Sequence, residues 1–199
     1  MNAAAPPSAL SQAPSDDALL VLFANGDPSA ARDLTGRLGP RAFGTAFRML
    51  GNRAEAEEVA QEAMLRLWRM APKWEPGRAQ VSTWLTRVVM NLCVDIQRRA
   101  RGGMAALEDV AEPVDPGRGV VAGMLDAARQ DALQNALMLL PERQRQAVVL
   151  RHLQEMSNPE IAVVMDIKVE AVESLTARGK RALAAALAAR RDELGYDDD

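Results

Sequence analysis

Apolar residues between positions 29 and 50 recur at steps of three and four: Ala31, Leu34, Leu38, Ala42, Phe43, Ala46, Phe47 and Leu50. That is the period of an α-helix with one buried stripe. Gly36, Gly39 and Pro40 weaken the stretch, so a break near Gly39 is expected as an alternative to one continuous helix. The pattern returns over 54–70 (Ala56, Ala60, Ala63, Met64, Leu67, Trp68), where Pro72 stops it. It returns again over 82–101 (Trp84, Leu85, Val88, Val89, Leu92, Ile96), ended by Gly102 and Gly103. A short helix at 16–24 precedes these, and Asn25-Gly26-Asp27-Pro28 reads as a turn in which Asp27 caps the next helix. Further on, helices are expected at about 121–139, 141–154, 158–165 and 169–190, with Pro141 and Pro159 where a first-turn proline is tolerated.

Between the two groups of helices the pattern fails. Residues 104–119, MAALEDVAEPVDPGRG, hold two prolines, two glycines and four carboxylates (Glu108, Asp109, Glu112, Asp115) against one arginine. This reads as a flexible acidic linker and a domain boundary. The expected organisation is a disordered Ala/Pro/Ser tail at 1–15, a helical domain at 16–103, the linker at 104–120, a second helical domain at 121–190 and an acidic tail at 191–199. The fold class is all-α, two small helical domains, the second a helix-turn-helix domain. Composition agrees: only 4% of residues are aromatic while Ala, Leu, Met, Arg and Glu abound.

Charge and chemistry narrow the function. The formal net charge is −3, where a free DNA-binding domain is usually basic, so any DNA binding must rest on charge segregated along the chain. Cys93 is the one cysteine and sits among Val88, Val89, Leu92 and Ile96, as a small buried apolar residue would. One Cys and one His make no zinc-type set, so no metal or cofactor is expected. No nucleophile–base pair or glycine-rich phosphate loop is legible, and the lone His152 reads as structural or surface, so neither an enzyme nor a small-molecule substrate is expected. No apolar run reaches the roughly 20 residues that span a bilayer. The first residues do not form a secretory signal. A cytoplasmic protein without membrane insertion is expected.

Three constellations carry candidate function. In 157–174 a short helix turns Ile161, Ala162 and Met165 inward, Asp166-Ile167-Lys168 makes a turn, and the next helix buries Val172, Leu175, Gly179 and Leu183. This spacing suits a helix-turn-helix that offers its second helix to a major groove. Lys168, Arg178 and Arg181 would then hold phosphates, while Glu170, Glu173 and Ser174 near the helix start reach base edges. A helical hairpin with a solvated face is the plainer alternative. On 54–70, Glu55, Glu58 and Glu62 with Gln61 form an acidic stripe opposite the apolar one, either a solvated surface or a docking face for a basic partner. On 82–101, Arg87, Asn91, Asp95 and Arg98 form a polar face, and Arg98, Arg99 and Arg101 cluster at the helix end, where they complement the helix dipole or bind phosphates. Trp74 and Trp84 flank a loop with Lys73 and Arg78; either ring can be core, and Trp74 can alternatively stack on an extruded base.

Together these stretches resemble one family, the extracytoplasmic-function sigma factors of bacterial RNA polymerase. Asn52 to Trp68, with its Glu58-Val59-Ala60-Gln61-Glu62 segment and closing Trp, looks like that family's core-polymerase-binding helix. Ser82 to Asn91 with Asp95, Arg98 and Arg99 looks like its promoter-melting and minus-ten-reading helix, and Leu140 to Arg145 with Glu160 to Leu183 like its minus-thirty-five-reading domain. The match covers roughly 16–102 and 125–188. Val81 replaces a usual aromatic, Met64 a common Phe and Thr176 a usual apolar residue.

The resemblance implies specific roles. Glu55, Glu58, Gln61 and Glu62 would dock on a coiled coil of the largest polymerase subunit. Lys73, Trp74, Arg78, Trp84, Arg87, Asn91, Arg98, Arg99 and Arg101 would bind the minus-ten element and its opened strand. Arg143, Lys168, Glu170, Glu173, Ser174, Arg178 and Arg181 would bind the minus-thirty-five element. The implied partners are core polymerase, promoter DNA and an anti-sigma protein wedged between or around the two domains, in a stress response. The rival readings are a stand-alone helix-turn-helix regulator, which leaves the first domain and linker unexplained, and a sigma-mimicking adaptor that binds an anti-sigma factor.

Overall fold

The computed structural model describes residues 13–102 and 122–188. The tail, linker and acidic end expected at 1–15, 104–120 and 191–199 fall wholly or almost wholly outside the described residues. Within them the chain is helical and has no strand. The order is α1 (Asp16–Ala24), α2 (Pro28–Leu50), α3 (Arg53–Met70), α4 (Val81–Gly102), α5 (Ala122–Met138), α6 (Glu142–Val148), α7 (Asn158–Met165) and α8 (Val169–Ala188).

Short polar side chains start α1, α2 and α3. Ser15 Oγ accepts from Ala18 N at 3.2 Å, Asp27 Oδ1 from Ser29 N at 2.8 Å, and Asn52 Oδ1 from Glu55 N at 3.1 Å. Each satisfies an amide that the first helical turn leaves without a partner. Gly51 ends α2 at φ 73°, a left-handed cap that an L side chain resists.

The option of a break near Gly39 is not realised: α2 runs continuously through Pro40. Both Pro40 and Gly36, whose carbonyl loses its i+4 donor, lie on the exposed side. Water can therefore serve that carbonyl, while buried Leu34, Leu38 and Ala42 keep the other side packed on the core.

The first domain packs α1, α3 and α4 around α2. Leu19, Leu20, Leu34, Leu38, Met49, Leu67, Val81 and Val89 are its most fully buried large side chains. Val81 and Met64 are both buried, so the two family departures at these positions keep their apolar place in the core. In the second domain α6 packs along α8, α7 follows in a tight turn, and Leu137, Val148, Leu150, Ile161 and Val172 are buried. After Val148 the helix widens into a π-turn, Val149–Leu153, closed by Gln154 N donating to Val149 O at 3.0 Å. Val148, Val149 and Leu150 are all buried across this change of winding.

Candidate nucleic-acid and protein interfaces

The helix-turn-helix is built as its spacing demands. Glu160 accepts from Ser157 N at 2.8 Å and from Ser157 Oγ at 2.6 Å, fixing the start of α7. These bonds hold the Glu160 carboxyl below the usual glutamate range. Asp166 ends α7 in the left-handed region, φ 52°, which Asp tolerates better than most residues. Ile167 is half-buried in the turn, and Ile167 N donates to Ala162 O at 3.1 Å. Arg143 Nη1 reaches across from α6 to Met165 O at 3.3 Å, so this residue also secures the turn.

Close approach sets the angle of α8. A Cβ at Gly179 would lie 2.6 Å from Val148 Cγ2 and 3.0 Å from Gln144 O, so only glycine lets α6 and α8 meet here. Thr176 is half-buried and its Oγ1 has no partner among the described residues. Lys168, Glu170, Glu173, Ser174, Arg178 and Arg181 are all exposed along the outer side of α8 and its leading turn. Asn158 Nδ2 lies 3.4 Å from Glu173 Oε1, and Arg178 Nε donates to Ser174 O at 3.2 Å. His152 is exposed, and partial burial with Lys180 and Arg151 nearby lowers its pKa.

On α3 the acidic face is real. Glu58 and Gln61 are exposed and Glu55 and Glu62 half-exposed, opposite buried Ala56, Val59, Ala60, Ala63 and Leu67. Arg66 Nε donates to Glu62 Oε1 at 2.8 Å and holds that carboxyl below its ordinary range. Leu65, one turn further, is exposed. Beside this face lies a surface hollow of about 440 Å³ lined by Phe23, Ala31, Arg32, Thr35 and Trp68, which no periodicity announced.

The α3–α4 loop is tied down by α1. Trp74 Nε1 donates to Asp17 Oδ1 at 3.0 Å, and the Trp74 ring meets Trp84 edge-on with centroids 6.4 Å apart. Both rings are half-buried against the core. Trp74 is thus a packed, hydrogen-bonded ring in this state, and stacking on a base requires it to leave Asp17. No motif or spacing in the sequence marks Asp17 as the partner of Trp74. Lys73 and Arg78 are exposed, Arg78 pairing with Glu75 at 3.2 Å. Arg87 and Asn91 are exposed on α4, as are Arg98, paired with Asp95 at 3.0 Å, and Arg99.

Arg101 is engaged elsewhere. Its Nη2 lies 2.8 Å from Glu142 Oε2, across the boundary between the domains. Helix α7 also packs against α4, and α5 against α2. The two domains are therefore packed against each other. No group of three His, Cys, Asp or Glu residues placed to hold a metal occurs among the described residues, and none of their helices is long and apolar enough to cross a membrane.

Comparison with known proteins places both halves. Residues 34–102 match the family described as Sigma-70 region 2, and residues 130–183 that described as Sigma-70, region 4. The chain is 31% identical over 171 residues to the ECF RNA polymerase sigma factor SigW of Bacillus subtilis, covering 79% of this chain and 89% of SigW. It is 32% identical over 189 residues to the ECF RNA polymerase sigma factor SigE of Mycolicibacterium smegmatis, covering 90% of this chain and 72% of SigE. Among solved structures it resembles CnrH, determined in complex with the cytosolic domain of CnrY, at 27% identity and a TM-score of 0.65, over 87% of this chain and 97% of CnrH.

Proposed function

The chain belongs to the extracytoplasmic-function sigma factors of bacterial RNA polymerase, and from that premise we propose how its own surfaces divide the family's work of promoter recognition and transcription initiation. The acidic face of α3, Glu55, Glu58, Gln61 and Glu62, docks on a basic coiled-coil face of the polymerase's largest subunit, where complementary charge sets register and association rate. The α4 surface with Arg87, Asn91, Arg98, Arg99 and Arg101, and the loop with Lys73, Trp74 and Arg78, bind the minus-ten element. Aromatic stacking there, with Trp74 released and Trp84 beneath, favours the opened strand without any covalent step. The outer side of α8, with Lys168, Glu170, Glu173, Ser174, Arg178 and Arg181, enters the major groove of the minus-thirty-five element. Arg143 supports it at the turn.

The observation that carries this reading is charge segregation in a chain of net charge −3. Carboxylates gather on the outer side of α3, and cations gather at the end of α4 and along α8. A stand-alone regulator has no use for the first of these. The protein acts without catalysis, in the cytoplasm where the polymerase works. A protein partner holds it inactive by clasping the two domains; support comes from the relative CnrH, which is seen with the cytosolic domain of CnrY.

The affinity of labelled full-length chain for core polymerase tests the first assignment. Placing like charges across the contact costs several kcal/mol, so Glu58→Arg/Glu62→Arg weakens core binding at least about a hundredfold. Arg98→Glu/Arg99→Glu keeps core binding and loses promoter opening. Equal core affinity in both variants would remove α3 from the interface.

A further inference from the structure

The leading end of α8 carries charge of the wrong sign for a simple DNA contact. Glu170 and Glu173 stand exposed there, while Arg178 and Arg181 follow further along the same outer side. The cations meet phosphates favourably, and a carboxylate near the same phosphates is repelled. In a major groove a carboxylate is stabilised only where a base edge donates a hydrogen bond to it. Such a group lowers affinity for most sequences and so separates one sequence from another.

Of these outward side chains, only Glu173 is hydrogen-bonded to the other helix of the helix-turn-helix among the described residues. Asn158 Nδ2 of α7 donates to Glu173 Oε1 at 3.4 Å, the long end for such a bond. Arg178 bonds to Ser174 O of its own helix instead. Asn158 is a steady donor: it is half-buried at the first position of α7, between the Ser157–Glu160 capping box and Pro159, whose ring fixes the backbone. Holding a free glutamate still at an interface costs side-chain entropy, and the contact with Asn158 has already removed part of that freedom.

We propose that Glu173 selects cytosine at one position of the minus-thirty-five element, and that Asn158 is the positioning residue that aims its carboxylate. This rests on the reading of α8 above as the helix that enters the major groove. An ionised carboxylate accepts hydrogen bonds and never donates. Asn158 engages Oε1 and leaves Oε2 free for the DNA. In the major groove cytosine presents its N4 amino donor, guanine the O6 and N7 acceptors, and thymine an O4 acceptor with a methyl group. Adenine places the N7 acceptor beside its N6 donor. Glu173 therefore matches cytosine, is opposed by guanine and thymine, and at adenine meets a second acceptor along with the donor.

The test is the base preference of core polymerase carrying the full chain, selected on promoter DNA randomised across the minus-thirty-five element and sequenced before and after. Wild type is set against Glu173→Ala and Asn158→Asp. Asn158→Asp puts a second carboxylate opposite Glu173, while an acidic residue in the first turn of α7 favours the helix. A merely structural role for Asn158 therefore predicts unchanged base reading, and a positioning role predicts its loss. Wild type prefers cytosine at one position. Glu173→Ala lowers that preference about fivefold or more, the low end for a specific base contact, and Asn158→Asp lowers it at the same position, with other positions unchanged. A Glu173→Ala profile equal to wild type, a loss spread evenly over all positions, or a loss confined to another base overturns the proposal. An Asn158→Asp profile equal to wild type overturns the role of Asn158. A wild-type chain with no preference in this element, bound no better than Arg178→Glu/Arg181→Glu, overturns the reading of α8 itself and the proposal with it.

Discussion

Gly179→Ala isolates the packing that aims α8. The new Cβ would stand 2.6 Å from Val148 Cγ2 and 3.0 Å from Gln144 O. Carbon atoms in van der Waals contact prefer about 3.5–4.0 Å, so the two helices must separate by roughly 1 Å. Val148 is 2% exposed and cannot swing clear, and the second obstacle is backbone. Overpacking of this kind costs about 1–3 kcal/mol, and the rigidity of both obstacles puts the cost near the upper end. Replacing glycine by alanine inside a helix returns about 1 kcal/mol. Packing therefore wins by about 2 kcal/mol, which lowers the melting temperature of a 60–100-residue domain by roughly 8–16 °C. Calorimetry of the full chain reads the stability change, and binding to a minus-thirty-five promoter fragment reads the tilt of α8. Core-polymerase affinity stays unchanged. A melting temperature equal to or above wild type would mean that helix propensity outweighs the clash, and the close-approach argument would be wrong.

Two further outcomes follow from single side chains. Ser157→Ala removes the hydroxyl that donates to Glu160 and costs about 1 kcal/mol in denaturant unfolding. Because Ser157 lowers the Glu160 pKa, folding gains from the ionised carboxylate above the ordinary glutamate value of 4.5 and loses this gain as pH falls through the lower, folded value. The wild-type advantage over Ser157→Ala should therefore shrink below pH 4.5, and an advantage that grows on acidification would contradict it. Burial, with Glu55 nearby, pushes the Cys93 thiol up to about 12, so a thiol reagent at neutral pH should label the chain only in denaturant; rapid labelling of the native protein would show that Cys93 is not buried as described.

Much of the fold was legible because apolar periodicity records which side of a helix is covered. The stripes on α2, α3 and α4 and the turn at Asp166–Lys168 all fall where spacing alone puts them. Periodicity does not record what does the covering. Arg145 lies in the Leu140–Arg145 stretch that resembled the family, but no pattern says that its guanidinium ends on Met49 O in another domain. No pattern links Asp17 to Trp74, 57 positions further on, and only the third dimension brings them together. The helix expected over 29–50 does form unbroken through Pro40; the alternative break near Gly39 is avoided because Gly36 and Pro40 lie on the exposed side. The candidate interfaces were legible as charge on exposed helix faces, whereas the engagement of Arg101 by Glu142 was not, since the two lie on either side of the linker.

The central claim is that this chain directs core polymerase to promoters through the acidic face of α3 and the cationic faces of α4 and α8. Abortive transcription by purified bacterial core polymerase on a library of genomic promoters, with and without the chain, tests it most directly. The account predicts initiation at a defined set of promoters that depends on the chain and is lost with Glu58→Arg/Glu62→Arg. Initiation that is indifferent to the chain, with no co-elution of chain and core, would contradict it.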